Sequence, residues 1–125
     1  LQGVLALPGG AVGLGEPPAE GARREIAEEL GLAYAPGQLL CVDWVPSRPI
    51  AGDALLFVFD GGPPLTPEDV ARIVLPPDEL ADFAFVAVGD LDGYARPRLV
   101  RRISACLTAR ATGVPVYLED AVLRA

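Results

Sequence analysis

GAVGLGEPPAEGARREIAEELGL, residues 10–32, decides the architecture of this 125-residue chain. Its first half is loop: residues 9–18 carry four glycines and two prolines, residue types that interrupt regular structure. From Pro18 to Leu30 the pattern turns helical. Ala22, Ile26 and Leu30 recur at i, i+4 and i+8 as one apolar stripe, and Gly31 is a natural C-terminal stop. Pro17 and Pro18 suit a helix start, where a missing N–H costs nothing, and Glu16 and Glu20 complement the positive end of the helix dipole.

That helix spaces Glu25, Glu28 and Glu29 at i, i+3 and i+4, so three carboxylates share one face. Like charges at this spacing repel. Arg24 reaches Glu20 and Glu28 at i±4, which offsets part of the repulsion, and a divalent cation would offset the rest. Mg²⁺ is normally held by one or two carboxylates together with substrate phosphate oxygens and water. Two such ions would clamp the attacking and leaving oxygens of a phosphoryl displacement. Backbone around Gly9 and Gly10 carries no side chain and can approach the carboxylate face, where a carbonyl can complete a metal shell.

Composition narrows the chemistry further. The chain has no histidine and no lysine; all ten basic residues are arginine. Ser-His-Asp and Cys-His catalysis, Schiff-base chemistry, the P-loop lysine and His-containing zinc sites are excluded. Ser47 and Ser104 are the only serines, and neither sits in a G-x-S-x-G turn. Titrating groups must be mostly carboxylates, which favour hard cations such as Mg²⁺ or Mn²⁺. The net charge of −7 makes a long nucleic acid a poor partner, whereas bound cations can reverse the sign of an acidic cleft toward a single nucleotide. No apolar run approaches the roughly 18–20 residues that cross a bilayer, and no signal-like segment opens the chain. Cys41 and Cys106 form no CxxC pair and read as buried core thiols of a reducing, cytoplasmic protein.

Outward from residues 10–32, Val4–Leu7 reads as a short strand ended by Pro8-Gly9-Gly10. Residues 39–45 and 54–59 read as strands, the second closed by Asp60-Gly61-Gly62. The proline-rich stretch 63–82 offers a strand over 70–75 and one helical turn over 78–81. Residues 83–88 read as a strand, and residues 96–111 as a second helix with Leu99, Ile103, Cys106 and Leu107 inward. A last strand is expected at 116–118. Mixed strand–helix order predicts a single α/β or α+β domain over 1–125. Arg96, Arg98, Arg101 and Arg102 read as a solvated helix start. Trp44, Phe57, Phe59, Phe83 and Phe85 read as core, and Tyr94 as the exposed aromatic.

Gly10, five residues, Glu16, seven residues, then Arg24-Glu25-Ile26-Ala27-Glu28-Glu29-Leu30-Gly31-Leu32 resembles the complete Nudix box, G-x5-E-x7-R-E-U-x-E-E-x-G-U with U apolar. Seven fixed identities make a chance match rarer than roughly one in ten million, so the signal is specific. The resemblance implies a Nudix-type α/β/α sandwich with a mixed sheet. Only nine residues precede Gly10, so the N-terminal strand is expected to be short or missing, and a homodimer could complete an open sheet edge. It also implies metal-dependent water attack on phosphorus in a nucleoside diphosphate linked to another moiety. Glu25, Glu28 and Glu29 would bind metal, with the Gly9 carbonyl as a further ligand. Arg24, Glu16 and Gly10 would support them, Glu16 in some relatives through water. The general base would be Glu25 or a later carboxylate, Glu79 or Asp78. Two other functions share the fold: a catalytically silent nucleotide sensor, which lost box glutamates would signal and none are lost, and an isoprenoid diphosphate isomerase, which needs a reactive Cys41 or Cys106.

Overall fold

Gly31 ends the first helix as its spacing predicts. In the computed structural model, which describes residues 6–50, 52–75 and 85–124, α1 spans Pro18–Leu30 and Gly31 follows at φ 69°, its N–H donating to the Ala27 carbonyl at 3.0 Å. That left-handed turn is open to glycine without the Cβ clash other residues meet. Pro18 opens the helix at its first position, behind Pro17 in extended conformation. The remaining elements are β1 (Leu39–Arg48), β2 (Gly52–Phe59), α2 (Pro67–Ala71), a 3₁₀ helix (Val88–Gly93), α3 (Pro97–Thr112), β3 (Val116–Glu119) and β4 (Val122–Leu123).

The chain divides into two units. One takes in Leu7–Gly37 and Gly61–Val86, and therefore α1 and α2. Within it the chain after α2 returns to the end of α1, where the Val74 N–H donates to the Leu30 carbonyl at 2.9 Å. α2 is held by a capping box: the Thr66 side chain accepts from the Asp69 N–H, and the Asp69 carboxylate accepts from the Thr66 N–H.

The other unit takes in Gln38–Asp60 and Ala87–Ala125. Its four-stranded mixed sheet has the order β2-β1-β3-β4. β1 pairs antiparallel with β2 and parallel with β3. A parallel neighbour needs a long crossover, and α3 supplies it. Pro46 lies in β1, which is paired on both sides, yet beyond the last β3 partner at Trp44 and within the register shift between Val45 and Arg48, where a missing N–H breaks no ladder bond. The core of this unit is Leu40, Cys41, Cys106, Ala109 and Leu118. The α/β fold with a mixed sheet agrees with expectation.

Several readings need correction. Residues 70–75 form no strand; Val70 belongs to α2, whose Thr66/Asp69 capping box overrides the β-branched run. Of the strand expected over 83–88, residues 83 and 84 lie outside the described residues, 85–87 are irregular and Val88 begins the 3₁₀ helix. The turn expected over 78–81 and residues 4 and 5 of the first strand also lie outside them, while Ala6 and Leu7 are not in a strand. On α3, Leu107 is exposed, and the buried residues are Arg102, Cys106 and Ala109. Phe57 and Phe85 are exposed rather than core; Tyr94 is exposed as expected, and Tyr117, for which no expectation was formed, is exposed too. β4 was not expected: two residues carry no periodicity.

Arg102 is the largest departure. It is not part of a solvated helix start: its Nε donates to the Asp43 carboxylate at 2.7 Å, and Asp43 is fully buried on β1. The second Asp43 oxygen accepts the Ala121 N–H at 3.0 Å. Ala121 and Asp120 form the two-residue β3–β4 turn with φ of 61° and 50°, the left-handed pair a tight hairpin requires. The Asp120 N–H donates to the Trp44 carbonyl at 2.7 Å, and its carboxylate lies 2.9 Å from Arg98. One buried aspartate thus ties a strand, a helix and a hairpin turn together.

Candidate active site

The loop before α1 is built by local turn chemistry. The Glu16 N–H donates to the Gly13 carbonyl at 3.1 Å, and Gly15 at the third position has φ 75°, as a type II turn requires. The turn folds the Glu16 side chain back, so that one carboxylate oxygen accepts the Gly13 N–H at 2.9 Å.

Arg24 is the centre of the arrangement. Its Nε and Nη2 donate to the two Glu16 oxygens at 2.8 and 3.0 Å, a bidentate pair. Nη2 also donates to the Ala11 carbonyl at 3.0 Å. Nη1 donates to Glu25 at 3.0 Å and to Glu28 at 3.1 Å. The Arg24 guanidinium and the Gly13 N–H hold the Glu16 carboxyl well below its ordinary 4.5, at about 2. The bonds to Glu16, Glu28 and Glu25 push the Arg24 guanidinium pKa up, so its positive charge is fixed. Glu20, expected on Arg24, instead lies 3.7 Å from Arg23.

The glycines meet the ridge of carboxylates directly. A Cβ on Gly10 would stand 2.5 Å from the Glu25 carboxyl carbon, so a side chain and this carboxylate position exclude one another. The Gly9 N–H donates to Glu29 at 3.1 Å. Glu16, Glu25, Glu28, Glu29, Arg24, Gly9 and Gly10 are thereby brought together. Asp78 and Glu79 lie outside the described residues. The contributions of the Ala11 carbonyl and the Gly13 N–H were not foreseen; backbone groups carry no sequence signature, and only the glycine density of residues 9–15 hinted at close approach.

Among the described residues, no group of three acidic or thiol side chains surrounds a common point suited to a metal ion. The donor chemistry nonetheless fits a hard divalent cation. Glu25 and Glu28 already share a single cationic nitrogen, Glu29 stands on the same helix, and every candidate donor is oxygen. The two cysteines fit no such role. Cys41 and Cys106 are buried in the sheet–helix core with their sulfurs 3.5 Å apart, and the contact with Cys106 together with burial pushes the Cys41 thiol up.

The site thus gathers carboxylates on one helix, ordered by one arginine under a glycine-rich loop. The NUDIX domain family model matches residues 1–108, and the chain belongs to the Nudix family. Members of this family generally use divalent metals and act on small nucleotide derivatives. Neither curated proteins nor solved structures give a match to the chain. No helix among the described residues is long and apolar enough to cross a membrane.

Proposed function

We propose that this chain is a Mg²⁺- or Mn²⁺-dependent pyrophosphohydrolase that cleaves the phosphoanhydride bond of a nucleoside diphosphate linked to another moiety, by water attack on phosphorus. The observation that carries this reading is the Arg24 network, in which Glu16, Glu25 and Glu28 converge on one guanidinium while Gly10 leaves room for the Glu25 carboxylate. Glu25, Glu28 and Glu29 would hold the metal, with the Gly9 carbonyl as a further ligand. Bound there, a divalent ion supplies charge neutralisation and Lewis-acid polarisation at the diphosphate oxygens. Arg24, with Glu16 behind it, positions the Glu25 and Glu28 carboxylates. The proton of the attacking water passes to a carboxylate; Glu25 is the candidate on α1, and Glu79 the candidate later in the sequence. A single domain over residues 1–125 is part of the same proposal, since the family match takes in segments of both units.

The experiment is incubation with Mg²⁺ and a panel of nucleoside triphosphates, nucleotide sugars, ADP-ribose and dinucleoside polyphosphates, with products separated by chromatography. Release of a nucleoside monophosphate or of pyrophosphate from at least one compound is expected. No release above buffer across the panel overturns the proposal, and tight nucleotide binding without release would favour the silent sensor instead.

A further inference from the structure

Gly21 closes the first turn of α1 and is the buried residue of that helix. A Cβ built on it would stand 2.6 Å from Val12 Cγ1 and 3.2 Å from Glu16 Oε1. The loop therefore rests directly on the helix backbone at this point. Val12 is half exposed, so the contact is not part of a sealed core. A glycine inside a helix is destabilising relative to alanine or leucine, and the family motif leaves this position free.

We propose that Gly21 is a positioning residue: its missing side chain lets Val12 settle on α1 and brings Ala11 and Glu16 within bonding reach of Arg24. Ala11 directly precedes Val12, Glu16 follows it by four residues at the end of the same loop, and both accept from Arg24. Lifting Val12 off the helix lifts both acceptors with it. The guanidinium then loses the partners that aim it at Glu25 and Glu28. The catalytic consequence rests on the hydrolase reading; the structural one does not.

The test compares Gly21→Ala, Gly21→Leu, Val12→Ala and the Gly21→Ala/Val12→Ala double variant in the full chain. In metal-free buffer, the Arg24 Nε–H signal is followed by ¹⁵N nuclear magnetic resonance, since its bond to Glu16 protects it from solvent exchange. Mn²⁺ affinity by calorimetry, kcat and the thermal midpoint are measured beside it. In Gly21→Leu the Arg24 signal loses protection, Mn²⁺ binding weakens about tenfold and kcat falls on the order of 100-fold, while the thermal midpoint does not fall. Gly21→Ala shifts each readout in the same direction by less, and the double variant returns to the level of Val12→Ala alone. A protected Arg24 Nε–H in Gly21→Leu overturns the inference, as does a Gly21→Ala defect that trimming Val12 fails to relieve. Should Gly21→Leu not fold, the alanine pair decides. Absence of turnover in the unsubstituted protein overturns the hydrolase reading alone, because the Arg24 signal reports on Gly21 without it.

Discussion

Arg24 makes bonds to three carboxylates and a backbone carbonyl with one planar group, which a point-charge lysine could not reproduce. The Glu16 carboxyl records the strength of that arrangement. Its pKa is lowered in the folded chain, so the interaction is fully present above the ordinary value near 4.5 and is lost as pH falls through about 2. Carboxyl resonances followed by pH titration should place Glu16 at about 2, and Arg24→Gln should return it toward 4.5; a Glu16 midpoint near 4.5 in the unsubstituted chain would contradict the geometry. Gly10 offers a second residue-scale prediction. Gly10 is exposed, so Gly10→Ala should leave the thermal midpoint nearly unchanged, yet the added methyl displaces the Glu25 carboxylate. A misplacement of about 1 Å costs on the order of 100-fold in turnover, which steady-state kinetics on a cleaved panel compound will show. The glutamates themselves were legible because helical spacing fixes which side chains share a face. The Ala11 carbonyl was not, because any residue would present the same group.

Elements came through the sequence unevenly, for reasons visible in particular residues. α1 was readable to its termini because Pro18 and Gly31 bracket an apolar stripe. Arg102 was not, since four arginines crowd the start of α3 and composition does not say which one turns inward. The spacing does carry a signal: Arg102 precedes the buried Cys106 and Ala109 by four and seven residues, and Asp43 alternates with Cys41 and Val45 on the inward face of β1. An aspartate at such a position demands a partner. Removing one member leaves a buried charge uncompensated, so Asp43→Ala should destabilise the fold by about 3–5 kcal/mol in chemical denaturation, whereas Asp43→Leu/Arg102→Leu should cost far less. Losses of Asp43→Leu and Arg102→Leu that simply add in the double variant would show that the pair is not coupled. The same β1–α3 interface shields the thiols. Cys41 and Cys106 should resist a thiol-specific alkylating reagent until denaturant is added, and fast labelling in the native chain would reopen the isomerase reading.

At the scale of the molecule, a net charge of −7 without any lysine sets two effects in competition. General self-repulsion is relieved by any salt, because exposed charges are screened over about 10 Å at 0.1 M ionic strength. A cation bound by Glu25, Glu28 and Glu29, as proposed, would instead stabilise by mass action, by about 2.7 kcal/mol at a concentration one hundred times its dissociation constant. That corresponds to a rise of roughly 10 °C in the melting midpoint for a chain of this length. The two separate cleanly in one comparison. NaCl at matched ionic strength should raise the midpoint of the unsubstituted chain and of Glu25→Gln/Glu28→Gln by similar small amounts, while MgCl₂ or MnCl₂ should add its larger rise to the unsubstituted chain alone, and a chelator should reverse it. If the divalent salts raise both proteins equally, the carboxylates of α1 are only a charged surface that Arg24 organises, and the metal-dependent reading falls with them.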